Sequence, residues 1–225
     1  MAKQSIGILG AGKLGLALAN IGARAGYEVL IASRKSAEAL SLPVSILAPG
    51  AHPLSAAEVI AQSDTIILTI PLSKYRQLDP AAFKGKIVID AMNYWWEVDG
   101  KDTLFSTIEA TSSERVQQYF SDSQVVKAFN HMGYHDIQAV SSAGAAGSVK
   151  AIAIAGDQPS AVGKVAQIVE DFGFEPLLIG SLAKGIMLEP GSPLFGANET
   201  AEKLQGLVDI FAHSEKGQAF YGQRA

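Results

Sequence analysis

The chain has 225 residues, 48% of them hydrophobic and 18% charged, which supplies a real core and excludes a disordered polymer. A formal net charge of -4 argues against a nucleic-acid partner, which normally depends on a basic face. Cysteine is absent, so neither disulfide nor thiolate chemistry is available.

The first strand is expected at Ser5–Leu9, followed by a helix at Lys13–Ala25 and a second strand at Glu28–Ala32. The stretch from Ile6 to Ile21 is apolar, but Gly7, Gly10, Gly12, Lys13 and Gly15 interrupt it, unlike a signal peptide. No longer apolar run follows, so the chain is expected to be soluble and cytoplasmic, with no membrane partner. A weak strand at Val44–Leu47 and a helix near Ser55–Gln62 come next. Strands are then expected at Thr65–Ile70, Lys86–Asp90, Gln124–Ala128, Ala151–Ala155 and Glu175–Leu178. Helices fall at about Ser112–Phe120 and at Pro159–Phe172, the latter stopped by Gly173. The Ser/Ala/Gly-rich piece Ser141–Ser148 reads as a surface loop.

Alternation of short apolar runs with helices is the sign of βαβ units. Runs such as Thr65–Ile70 are apolar throughout, as strands covered on both faces require. The predicted fold is therefore a Rossmann-type, doubly wound, mostly parallel α/β sheet with a small C-terminal helical extension. The turn-rich segment Glu189–Pro193 divides a Rossmann domain, 1–188, from a C-terminal helical extension, 189–225, whose last helix spans about Glu199–Ala212.

The strongest chemical signal is Gly10-Ala11-Gly12-Lys13-Leu14-Gly15, set between the first strand and its helix. Gly10 permits the tight turn, Gly12 lets backbone approach a pyrophosphate, and Gly15 allows close helix–strand packing. The helix start then offers free N–H groups to the phosphates. A glycine turn that merely packs is the competing reading. At the end of the second strand, NAD sites carry a carboxylate for the ribose 2′-hydroxyl, whereas this chain has Ser33-Arg34-Lys35. A hydroxyl and two cations suit a 2′-phosphate, so NADP(H) is expected, with a solvated basic loop as the alternative.

Ligands of such sheets lie across the carboxyl ends of the strands. Thr69-Ile70-Pro71, Met92-Asn93 and Ala128-Phe129-Asn130 are therefore further cofactor-binding candidates. Asn130 and His131 are the candidate catalytic groups beside the reacting rings, a satisfied surface histidine being the other reading of His131. Tyr94, Trp95 and Trp96 could stack on a flat ring, form a dimer contact or plug the core edge. His131 and His135 lack a third partner, so no metal site is expected.

The series Gly10–Gly15, Ser33-Arg34-Lys35, Leu68-Thr69-Ile70-Pro71, Val126–Asn130 and Gly180-Ser181-Leu182 resembles the NADPH-dependent coenzyme F(420) reductases. Asp90-Ala91-Met92-Asn93-Tyr94-Trp95 and Lys127–His135 are closest to the bacterial branch. The resemblance implies a dimeric Rossmann enzyme that exchanges a hydride between NADPH and the C5 of a deazaflavin. It matches Ser33, Arg34 and Lys35 to the 2′-phosphate pocket and Ile70-Pro71 to the nicotinamide-side loop. One stretch departs: Asn130-His131-Met132-Gly133 stands where the archaeal members have histidine-threonine-isoleucine-proline, so FMN or FAD is an alternative second substrate. The cytosolic domain of membrane ferric reductases has a similar run and uses a flavin. The other readings are a small imine or ketone reductase and an NADP(H)-binding sensor module.

Overall fold

The computed structural model describes residues 5–101, 110–142 and 148–224. Eight strands form one sheet in the order β3-β2-β1-β4-β5-β6-β7-β8. They are β1 Ser5–Leu9, β2 Glu28–Ala32, β3 Ala51–Pro53, β4 Thr65–Leu68, β5 Ile87–Asp90, β6 Gln124–Lys127, β7 Ala151–Gly156 and β8 Glu175–Gly180. Strands β1 to β6 are parallel; β7 runs antiparallel to β6, and β8 is parallel to β7. The Rossmann-type, mostly parallel sheet expected from the sequence is therefore the fold.

The helices are α1 Lys13–Arg24, α2 Ala37–Leu47, α3 Ala56–Gln62, a short α4 Trp96–Asp99, α5 Ser112–Tyr119, α6 Tyr134–Ser142, α7 Pro159–Asp171, α8 Ala201–Ile210 and α9 Glu215–Arg224. Two apolar layers result. On one face α1, α2, α6 and α7 bury Leu16, Leu40, Ile137 and Val165 against Ile8, Ile31 and Val126. On the other, Val59, Leu72, Phe83, Val116 and Phe120 cover Leu68, Val88 and Val125. Burying both faces is what demands continuous apolar strands, and Thr65–Leu68 is buried throughout.

One expected strand, Val44–Leu47, is helical and belongs to α2. Ser36 caps that helix by accepting from the Ala39 N–H at 3.3 Å, and Glu38 complements its first turn. Leu40 and Val44 are buried four residues apart, but Leu42, Ile46 and Leu47 are exposed and Pro43 lies inside the helix. Apolar residues on both faces hid the helical period, and the third strand is Ala51–Pro53 instead. Helix α6, which the sequence reading omitted, takes in Ser141 and Ser142, while 143–147 of the expected loop lie outside the described residues. The final helical stretch is broken into α8, a tight turn at Phe211–His213, and α9. These C-terminal elements pack Phe211 and Phe220 with Ile186, Leu188 and Leu194 against Ala153 of β7.

Candidate active site at the carboxyl edge of the sheet

The sheet reverses direction of winding between β1 and β4, and the glycine turn leaves β1 there. Gly10 has φ +119°, a conformation closed to ordinary side chains, and its N–H donates to Ala32 O of β2 at 2.9 Å. A Cβ on Gly15 would lie 1.9 Å from Gly10 O, so α1 starts in contact with the turn it follows. Thr69, just past β4, donates its hydroxyl to Gly10 O at 2.9 Å and its N–H to Leu9 O at 2.9 Å. The turn is thus gripped from β2 and β4 together.

Gly12 differs from its neighbours. It is exposed, it is the N-terminal cap residue of α1, and a Cβ built on it meets nothing within 4 Å. Its open side adjoins the free amides of a helix start, which is a cradle for a phosphate group. The Ser33 hydroxyl accepts the Lys35 N–H at 3.0 Å, which fixes the short turn after β2. Arg34 and Lys35 are exposed, and among the described residues neither forms an ion pair. The donors that a diphosphate and a 2′-phosphate need are therefore present side by side, with no carboxylate in Ser33–Lys35 to oppose them.

The remaining rim is built from strand ends. Pro71 is exposed, Ile70 is half-buried, and a tight helical turn, Leu72–Gln77, follows. Asn93 and Asn130 face each other beyond β5 and β6. Asn93 Nδ2 donates to Asn130 O at 2.8 Å, and Asn130 Nδ2 donates to Asn93 Oδ1 at 3.0 Å and to Leu188 O at 2.6 Å. Phe129 reaches this arrangement through a left-handed backbone, φ +65°, which costs an ordinary residue roughly 1–2 kcal/mol. Burial of its ring against Phe172 holds it there. The side chains of Met92, Ala128 and Phe129 are all core, so these three positions offer the crevice backbone only.

His131 is buried, its Nε2 accepting the Ala153 N–H at 3.0 Å and its carbonyl accepting the Gly196 N–H at 2.7 Å. Nδ1 lies toward the Ala197 backbone without reaching hydrogen-bond geometry. Burial lowers its pKa to about 4, so the ring is neutral and joins β7 to the C-terminal segment. His135 is exposed and stacks on Tyr134, so the two histidines do not share a surface.

Several contributors were invisible in the sequence. Lys13 places its ammonium 5.1 Å from the Tyr134 ring centre, bringing the starts of α1 and α6 together. Beneath the rim, Lys127 Nζ lies 3.2 Å from Asp90 Oδ2 and donates to Met92 O at 2.7 Å. Ser112 donates to Glu189, which pairs with Lys216 at 3.3 Å. Burial raises the Glu189 carboxyl, but Lys216, Lys127 and Ser112 outweigh it and hold the pKa below the ordinary value. This chain of charges ties α9 to the strand ends. No sequence rule pairs residues so far apart.

Comparison with known proteins places this crevice. Residues 5–94 match the profile of a family described as NADP oxidoreductase, coenzyme F(420)-dependent. The metalloreductase STEAP3 of Rattus norvegicus is 28% identical over 186 residues, 82% of this chain and 35% of that protein. The chain thus spans about a third of the length of the curated relative it matches. A hypothetical protein from Sinorhizobium meliloti superposes with a TM-score of 0.75 at 24% identity, covering 88% of this chain and 96% of that one. A protein named as an F(420)-dependent NADP reductase, from Arthrobacter, gives 0.67 at 24% identity over 80% and 86% of the two chains. An imine reductase from Pseudomonas gives 0.56 at 21% over 91% and 61%. These structural likenesses establish the shared fold. No helix among the described residues is long and apolar enough to cross a membrane. The match over residues 5–94 takes in the glycine turn, the basic loop and the rim as far as Asn93, so this part of the chain is similar to the NADP-dependent oxidoreductases named for coenzyme F(420).

Proposed function

We propose that the protein transfers a hydride between NADP(H) and a planar deazaflavin, coenzyme F(420), or a flavin such as FMN or FAD. The observation that carries this reading is the open side of Gly12, next to a turn after β2 that presents Ser33, Arg34 and Lys35.

Each part of the rim has a task in it. The tight contacts at Gly10 and Gly15 bring the α1 amides to the diphosphate, and Gly12 leaves room for it. Ser33, Arg34 and Lys35 hold the 2′-phosphate. Ile70-Pro71 and the Asn93–Asn130 pair flank the nicotinamide end, where the paired amides keep the strand ends at fixed separation. Bound there, NADPH supplies a hydride, two electrons with one proton, to the acceptor ring, which takes a second proton from solvent. No acid or nucleophile is required of the protein, in keeping with a neutral, interior His131.

Anaerobic mixing with NADPH and F(420), FMN or FAD tests the reading. Expected is loss of the dihydronicotinamide absorbance matched by bleaching of the acceptor, with deuterium passing from C4 of labelled NADPH to the deazaflavin C5. Tight NADPH binding without turnover of any of the three would replace it with a nucleotide-sensing module.

A further inference from the structure

The redox ring that meets the nicotinamide needs a surface of its own, and the strand-end loops build one. After Asn93 the chain extends through Trp95, which is 44% exposed. Such a side chain on a solvent-facing turn is ordinarily mobile, but here the backbone beneath the ring is pinned and the ring itself has an aromatic neighbour. The Trp95 backbone N–H donates to Asp99 Oδ2 at 2.9 Å. The other oxygen of the same carboxylate accepts the Ser73 N–H at 2.8 Å, which binds the turn to the loop beyond Pro71. The ring itself meets Phe195 at 5.6 Å between centres and 66° between planes.

Phe195 is held in turn. Gly196 N–H donates to His131 O at 2.7 Å, so Phe195 stands beside the residue that follows Asn130. Asn130 is joined to Asn93, two residues before Trp95. The contacts close a ring, from Asn93 to Asn130, from His131 to Gly196, from Phe195 to Trp95 and back along the chain. Trp95 is therefore fixed at the rim, between the Pro71–Ser73 loop and the C-terminal segment. Its neighbour Trp96 has no such ring contact among the described residues; it is 57% exposed with the Lys101 ammonium 5.9 Å from its ring centre.

A large apolar side chain held rigid yet left open loses little freedom on meeting a ligand, which is the condition for a stacking surface. We propose that the Trp95 indole, backed by Phe195 and carried on a backbone that Asp99 fixes, is the platform on which the planar heteroaromatic acceptor stacks to face the nicotinamide. The inference rests on the nucleotide-binding reading above and names the substrate class for the other half of the site: a fused, flat, redox-active ring rather than a small aliphatic imine or ketone.

The chain has two tryptophans, so one substitution isolates the reporter. In Trp96→Phe, emission comes from Trp95 alone; in Trp95→Phe, from Trp96 alone. Both are saturated with NADP+ and titrated with FMN and, separately, with F(420). Expected is saturable quenching of Trp95, beyond that of free indole, by at least one of the two rings, and none of Trp96. In steady-state assays Trp95→Ala raises the KM of that ring by roughly 5- to 150-fold, as loss of one stacking partner does, and leaves the KM of NADPH within about twofold. Trp95→Phe recovers most of the loss. Quenching confined to Trp96, or no quenching by either ring in a protein that still binds NADP+, overturns the platform and leaves the nucleotide site standing. Failure to bind NADP+ at all overturns the nucleotide reading first, and the platform with it.

Discussion

Lys127 and Asp90 sit opposite each other at the ends of β6 and β5, 3.2 Å apart, with neither side chain exposed to solvent. The pair does more than neutralise itself. Asp90 also accepts from the Met92 N–H at 3.0 Å and the Ser113 hydroxyl at 2.6 Å, while Lys127 donates to the Met92 carbonyl at 2.7 Å. Both backbone groups of Met92 are thereby held, and Asn93 follows directly.

Removing one member of such a pair strands the other as a buried charge. Lys127→Met is expected to lower unfolding free energy by about 3–5 kcal/mol, measured by urea denaturation. Replacing both, as Asp90→Leu with Lys127→Met, should restore a large part of the loss, because no uncompensated charge remains. A single substitution costing less than about 1 kcal/mol would contradict this account.

The basic turn predicts cofactor choice. Arg34→Ala should weaken NADPH binding by roughly 10- to 150-fold, about 1.4–3 kcal/mol, with NADH nearly unchanged. Titration calorimetry with both nucleotides reads the difference directly. Equal losses for the two would mean that Arg34 does not face the 2′-phosphate.

Gly12 and Gly15 should respond in opposite ways. A side chain at Gly12 meets open space, so Gly12→Val is expected to keep the thermal midpoint and abolish nucleotide binding. At Gly15 even Ala places its Cβ 1.9 Å from Gly10 O, so Gly15→Ala should lower the midpoint and weaken binding together. Thermal melts with and without NADP+ separate the two behaviours.

His131 gives stability a pH dependence. Its folded pKa, lowered by burial to about 4, lies below the ordinary 6.5, so below that ordinary value the unfolded chain binds more protons at this site. The stabilisation is complete above about pH 6.5 and is lost as pH falls through the window toward pH 4, by roughly 3 kcal/mol at most. His131→Gln, which retains an acceptor for the Ala153 N–H, should show a shallower fall in unfolding free energy across that window. Parallel curves for the two proteins would place the titration elsewhere.

Much of this was readable before any coordinates. Gly10, Gly12 and Gly15 declare their roles by spacing between a strand and a helix, and Ser33-Arg34-Lys35 by the absence of a carboxylate at one defined position. Both are local signals, carried within about 25 residues of chain. Helix α2 was misread because Leu42, Ile46 and Leu47 are apolar and exposed, which erases the period that marks a buried face. At His131 the residue type suggested chemistry, and only its surroundings, the Ala153 N–H and complete burial, assign it to structure.

The βαβ architecture and the nucleotide turn are legible in the residues alone, because strand periodicity, helix caps and glycine spacing act between near neighbours. Which distant segments meet follows from packing: Asn93 with Asn130, Asp99 with Ser73, Trp95 with Phe195, Glu189 with Lys216. All four contacts span more than twenty-five residues, and the first three form because the sheet order brings distant strand ends to one edge. Pairing of that kind is set by the packing of the whole domain, which no local pattern encodes.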